Sequence, residues 1–240
     1  MNPILVALDV TTADDALRLA DSLRGLVGGY KIGHQLFTAT GPGLVRQFVD
    51  HGDRVFLDLK YHDIPNTVAG AIGSAAGLGV WMVNVHAGGG SAMLSAAKRS
   101  ADEAAAHSGG QRPLVIAVTV LTSLTAESLG AVGISVSPLD HAVRLARLSQ
   151  HAGLDGVVAS PQETAAIRRA CGPDFLIVTP GIRGGSAASG RDDQERTLTP
   201  AGAIAAGASY LVVGRPITGA ANPADAARAI AAEIKTHQAS

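Results

Sequence analysis

The residues best suited to chemistry in this 240-residue chain stand where apolar runs stop. Leu8 is followed by Asp9, Tyr30 by Lys31 and Leu57 by Asp58, with Lys60 and Asp63 just beyond. Asp58 and Lys60 are two apart, so on a strand their side chains emerge on one face. Ionisable groups turned into a low-dielectric interior are tolerated only when paired. Lys31, one apolar run earlier, brings a second ammonium toward the same carboxylate. A lone Asp or Lys at such a place serves as a helix cap or a solvated rim charge. A cluster of them in an apolar protein costs stability, and a functional role explains it better.

A second group of residues has the makings of a phosphate site. Tyr210–Val213 is followed by Gly214 and Arg215. Glycine lets the backbone approach an anion closely, and arginine pairs bidentately with one. Thr179-Pro180-Gly181-Ile182-Arg183 leads into the Gly/Ser-rich stretch Gly184 to Gln194, longer than the usual connection in a compact domain. Beside a phosphate site such a stretch is expected to close over the ligand, the alternative being a plain flexible loop. Between the two groups lies Ile64-Pro65-Asn66-Thr67. Proline biases Ile64 toward an extended backbone, so the chain is expected to leave stiffly and carry Asp63 and Thr67 away from the cluster.

The elements that must position these residues recur regularly. Apolar, β-branched runs begin near Ile4, Gly29, Arg54, Val80, Leu114, Asp155, Phe175 and Tyr210, and each reads as a strand buried on both faces. Stretches with helical spacing lie between them: Ala13–Arg24 with Thr12 as its cap, Pro138–His151, Pro161–Ala170, Pro200–Ala206 and Pro223–Thr236. The unit repeats at about 29 residues, and eight such units predict a closed (β/α)8 barrel rather than an open sheet. No G-x-G-x-x-G turn follows the first strand, and no composition shift marks a boundary, so residues 1–240 are expected to form a single catalytic domain. In that fold the ends of the strands carry the chemistry.

Composition narrows the field. Hydrophobic residues make up 47% of the chain and charged residues 16%, which excludes a disordered polyelectrolyte. The net charge of −1 leaves no basic surplus for nucleic acid. The single cysteine, Cys171, fits a reducing, cytoplasmic setting, and neither a secretory leader nor a membrane span is expected. The eight histidines show no metal-ligand spacing. His86 reads as a structural histidine, and Trp81 as a core or helix-facing residue.

The segment Phe56-Leu57-Asp58-Leu59-Lys60-Tyr61-His62-Asp63-Ile64-Pro65-Asn66-Thr67 resembles the signature of the orotidine 5′-phosphate decarboxylase family. Ala7-Leu8-Asp9, Tyr30-Lys31-Ile32-Gly33, Val85-His86-Ala87, Val120-Leu121-Thr122-Ser123, Thr179–Arg183 with Gln194, and Val213-Gly214-Arg215 are similar to further family segments, in the same order. Magnesium-dependent sugar-phosphate decarboxylases and aldolases of the same superfamily resemble the Asp-x-Lys-x-x-Asp core, but carry an acidic residue where this chain has Lys31. His34-Gln35 departs from the family's commoner Met-Glu and touches no assigned role.

The resemblance implies a cofactor-independent, metal-free decarboxylation of orotidine 5′-monophosphate to uridine 5′-monophosphate, the last step of pyrimidine synthesis, by a (β/α)8 homodimer. It implies that Lys60 stabilises and protonates the carbanion at C6, with Asp58 near the departing carboxylate. Lys31 would hold Asp58 and contact the ribose, and Asp9 would accept a ribose hydroxyl. Thr122 would meet the pyrimidine edge. Arg215, the Gly214 amide and Gln194 would hold the phosphate, with Arg183 at the base of the closing loop. Asp63 and Thr67 would enter the partner's site, where Asp63 and Asp58 keep the lysine protonated. Two rivals stand beside this reading. A magnesium-dependent enzyme acting on a keto-sugar phosphate would lose activity on chelation. A silent phosphate-binding barrel would bind nucleotide without turnover.

Overall fold

The computed structural model describes residues 2–182 and 198–238. Eight parallel strands close on themselves: β1 Ile4–Ala7, β2 Gly29–Gly33, β3 Val55–Tyr61, β4 Met82–His86, β5 Leu114–Val118, β6 Gly156–Val158, β7 Leu176–Thr179 and β8 Tyr210–Val213. Each pairs with its sequence neighbour, and β8 returns to β1 with Leu5 opposite Val212. The expected strand starts lie within two residues of these.

Helices alternate with the strands: α1 Ala13–Leu23, α2 His34–Thr40, α3 Pro42–Asp50, α4 Pro65–Ala76, α5 Gly90–Ser108, α6 Ala126–Ala131, α7 Pro138–His151, α8 Pro161–Cys171, α9 Pro200–Ala205, α10 Arg215–Thr218 and α11 Pro223–Gln238. Their starts follow from local chemistry. Thr12 accepts the Asp15 N–H at the head of α1, Ser137 does the same for Asp140 on α7, and prolines stand in the first turns of α3, α4, α7, α8 and α9. Short helices that sequence periodicity left unassigned, such as α2 and α6, are one or two turns long and carry little amphipathic signal.

Strand alternation sorts the apolar residues into two cores. Ile4, Val6 and Leu8, with Val55, Leu57, Val83 and Val85, pack outward against the helices. Leu5, Ala7, Phe56, Met82, Ile116, Val178 and Val212 fill the inside of the barrel. Trp81 is neither fully core nor helix-facing. It packs against that inner cluster, edge-on to Tyr210 at 5.1 Å, with the Arg54 guanidinium 5.5 Å from its ring. At the same strand-start end, Arg112 holds Asp155 through two hydrogen bonds of 2.7 Å, and Asp155 also accepts the Val115 N–H. The apolar interior thus has a closed floor, and the inward positions further along the strands are free for other residues.

Candidate active site

The same alternation decides what stands above the apolar floor. Continuing the inward alternation of Leu5 and Ala7, the next position, two residues past the end of β1, is Asp9. On β2, Lys31 alternates with the outward-packed Tyr30 and Ile32, and on β3 Asp58 follows Phe56. On β4 the inward residue after Met82 is Asn84, which is fully buried. The top of the barrel therefore holds charged and amide side chains set on a buried hydrocarbon floor.

These side chains form one chain of contacts. Lys60 Nζ donates to Asp58 Oδ1 at 2.7 Å, and Lys31 Nζ lies 3.5 Å from Asp58 Oδ2. The same Lys31 ammonium donates to Asp9 Oδ1 at 3.3 Å. Asn84 Nδ2 donates to Asp58 Oδ1 at 2.7 Å, and Asn84 Oδ1 accepts the Lys60 N–H at 2.8 Å. Burial works to raise the Asp58 pKa, but the Lys31 and Lys60 ammoniums with the hydrogen bonds from Lys60 and Asn84 prevail and hold it below the usual carboxylate range. Asp58 is thus an anion whose interactions are nearly all with protein. Gly33 makes room for this arrangement: a Cβ there would stand 2.9 Å from Lys31 Nζ.

Simple alternation does not account for how Asp58 and Lys60 meet. The β3–β4 register shifts between Leu57 and Tyr61, and Lys60 has φ 47°. It is the one non-glycine residue with positive φ among those described. The pairing expected from two-residue spacing is present, but it is made through a kink in the strand rather than along a regular one.

The other sequence-assigned residues are dispersed around this cluster. Ile64 is extended, at φ −59° and ψ 152°, and leads directly into α4. Asp63 and Thr67 are exposed, and Asp63 Oδ1 accepts the Ile64 N–H. Asp63 lies on the exit from β3 and Thr67 in the first turn of α4, apart from the Asp58 contacts of this chain. Thr122 is half-buried in the turn after β5. Gly214 follows β8 and precedes α10; a Cβ there would lie 3.6 Å from Asp9 Oδ2, in ordinary contact, so crowding by the protein itself does not require a glycine. Arg215 begins α10 immediately after it. Arg183, Gln194 and the expected closing loop lie outside the described residues.

His86 ends β4 beside this cluster, its ring 5.5 Å from that of His62. Burial first, then His62, Lys60 and His34, push its pKa below the ordinary imidazole value, against an opposing pull from Asp58. Among the described residues no group of three or more His, Cys, Asp or Glu converges as a metal-holding set. Asn84 is the residue that the sequence reading passed over. Its signal was present: an amide in the middle of a strand otherwise buried and apolar on both faces.

Comparison with known proteins agrees with this geometry. Residues 2–230 match the model of the orotidine 5′-phosphate decarboxylase / HUMPS family. Over 233 residues the chain is 55% identical to an orotidine 5′-phosphate decarboxylase of Moorella thermoacetica, covering 97% of this chain and 92% of that one. It is 53% identical to the enzyme of that name from Chromobacterium violaceum, with the same coverage. The crystal structure of orotidine 5′-phosphate decarboxylase from Lactobacillus acidophilus superposes with a TM-score of 0.86 at 36% identity, covering 98% of this chain and 99% of that one. An inward-facing Lys31–Asp58–Lys60 cluster on a closed eight-stranded barrel, joined to these likenesses over almost the whole length, shows that the chain belongs to the orotidine 5′-phosphate decarboxylase / HUMPS family.

Proposed function

We propose that the chain decarboxylates orotidine 5′-monophosphate to uridine 5′-monophosphate, and that residues 1–240 act as one catalytic unit. The observation that carries this reading is the buried Asp58 carboxylate held between two ammoniums in a chain so similar to enzymes of that name. Loss of CO2 breaks the bond from C6 to the carboxylate carbon and leaves the electron pair on C6, where the ring delocalises it poorly. Stabilisation must come from charges placed before the reaction begins. Lys60 supplies one: its Nζ, anchored by Asp58, faces the pair developing on C6 and then transfers a proton to it. Water restores the ammonium afterwards.

Asp58 lies where the substrate carboxylate departs. Lys31, tied to both Asp58 and Asp9, fixes the spacing between the reacting end and the ribose, whose hydroxyls Asp9 accepts. Thr122 meets the pyrimidine edge. Arg215 and the Gly214 amide bind the phosphate, a role that the family resemblance extends to Gln194 and Arg183. Remote phosphate contacts of this kind contribute to rate when they close the site around the reacting ring.

The working form is a homodimer in which Asp63 and Thr67 serve the partner's site. Their exposure on either side of the extended Ile64, itself 67% exposed, supports that reading. A cytoplasmic location is proposed from the lone, buried Cys171, and no helix among the described residues is long and apolar enough to cross a membrane.

The reaction is tested with carboxyl-labelled orotidine 5′-monophosphate. One labelled CO2 released for each uridine 5′-monophosphate formed supports the proposal. Binding without release favours the silent barrel. Turnover only of keto-sugar phosphates with magnesium favours the magnesium-dependent rival of the same superfamily. For the dimer, mixing Lys60→Ala and Asp63→Ala proteins, each inactive alone, should restore part of the activity through one intact shared site; no restoration would place Asp63 outside the partner's site.

A further inference from the structure

We propose that Asn84 is a positioning residue of the reaction, one amide that orients Asp58 and fixes the backbone kink from which Lys60 reaches the substrate. This rests on the decarboxylase reading of the same site.

The amide is fully buried on β4 among Met82, Val83 and Val85, where an apolar side chain would be the ordinary occupant. Both of its polar ends are used, and in opposite senses: Oδ1 accepts the Lys60 N–H at 2.8 Å, while Nδ2 donates to Asp58 Oδ1 at 2.7 Å. Chemistry fixes the orientation of the amide, because the reverse one would set NH2 against an N–H and an oxygen against a carboxylate. No other uncharged side chain of that size offers an acceptor and a donor to two such partners at once.

The acceptor half acts on the backbone. Lys60, at φ 47°, occupies a region that non-glycine residues enter at a cost, and such conformations persist only where the surroundings over-determine them. The kink falls where the β3–β4 ladder changes register, between Leu57 and Tyr61. There the Asn84 side chain satisfies the Lys60 N–H.

The donor half acts on charge. Asp58 Oδ1 accepts from both Asn84 and Lys60, so its lone pairs are directed and the lysine's remaining N–H groups are left for the substrate. The groups that face Asp58 are Lys31 from β2, Lys60 from β3, and Asn84 with His86 from β4, with Asp9, just past β1, behind Lys31. Asn84 is the neutral donor among them. It supports the anion without adding to the net charge of the site.

The test compares wild type, Asn84→Ala and Asn84→Asp, with activity expressed per site that binds uridine 5′-monophosphate in calorimetric titration. Asn84→Asp is nearly isosteric and keeps an acceptor for the Lys60 N–H, but sets a carboxylate against Asp58. Asn84→Ala is expected to lose about 10²-fold in kcat, the scale of a misplaced reacting group, with KM changed less than about threefold. Asn84→Asp is expected to move the acid limb of the kcat profile to higher pH by about one unit or more, because a like charge disfavours ionisation. A shift in Asn84→Asp supports the proposal even if Asn84→Ala does not fold. Wild-type kcat per site in Asn84→Ala, or an unmoved acid limb in Asn84→Asp, overturns it. Loss of fold in both assigns Asn84 to the scaffold alone and overturns it as well. If wild type itself does not turn over, the decarboxylase reading is what fails.

Discussion

Replacing Asp58 by asparagine leaves the shape of the site nearly unchanged and removes the one anion between two ammoniums. The Asp58 and Lys31 side chains are each 11% exposed and that of Lys60 is 26% exposed, so water screens the newly unbalanced charges only in part. Removing one partner from a buried ion pair costs about 3–5 kcal/mol. Lys31 keeps Asp9 at 3.3 Å, but the Asp9 side chain is 63% exposed and its attraction is well screened. The expected loss therefore lies at the lower end, about 3 kcal/mol at pH 7, or a fall of about 6–12 °C in Tm for a chain of this size. The pH dependence has a definite sign. The folded Asp58 pKa is lowered, so its contribution is present above the unfolded carboxylate value and is lost as pH falls through the folded one. The stability gap between wild type and Asp58→Asn should be widest near neutrality and should close in acid, below the ordinary carboxylate range. Urea unfolding at fixed protein concentration across that range measures it. Equal stability at pH 7, within about 0.5 kcal/mol, or a gap that does not change with pH, would refute the argument that the cluster is a tightly coupled buried unit.

Three further perturbations separate the parts of the account. Gly33→Ala adds a Cβ 2.9 Å from Lys31 Nζ on a backbone at φ −98°, which alanine adopts freely; kcat/KM should fall about tenfold with Tm little changed, and unaltered kinetics would show that Lys31 placement is unimportant. Arg215→Ala should raise KM and lower kcat/KM by about 10²-fold, and steady-state kinetics showing an unchanged kcat/KM would remove Arg215 from phosphate binding. Arg112→Ala deprives Asp155 of two hydrogen bonds at the far end of the barrel and should cost about 2 kcal/mol in urea unfolding while kcat per folded site stays at the wild-type value; a changed kcat would show that the two ends are coupled.

The barrel was legible because its strands are short, apolar and evenly spaced, and because proline and threonine mark the helix starts. The placement of Asp9, Lys31 and Asp58 was legible for a related reason: a cluster of charges at the ends of doubly buried strands is tolerated only where its members pair. The contact between Asp58 and Lys60 was anticipated, but its basis was not. Sequence spacing assumes a regular strand, whereas Lys60 turns through a left-handed conformation that depends on an acceptor 24 residues away on β4. Asn84 stood out as an amide in a buried apolar strand, but its role was not legible, since its two partners are brought to it only by the barrel. Trp81 was displaced from its expected setting because a closed barrel has an end as well as two faces, and its large ring covers that end.

The central claim is that Lys60, held by Asp58, turns orotidine 5′-monophosphate into uridine 5′-monophosphate without help from a metal. Its most direct test follows the orotate-ring absorbance of the substrate with EDTA-treated protein, wild type beside Lys60→Ala. The account predicts rapid loss with wild type and a rate at least about 10³-fold lower with a folded Lys60→Ala protein. Loss of wild-type turnover on chelation, or substantial turnover by Lys60→Ala, would contradict it.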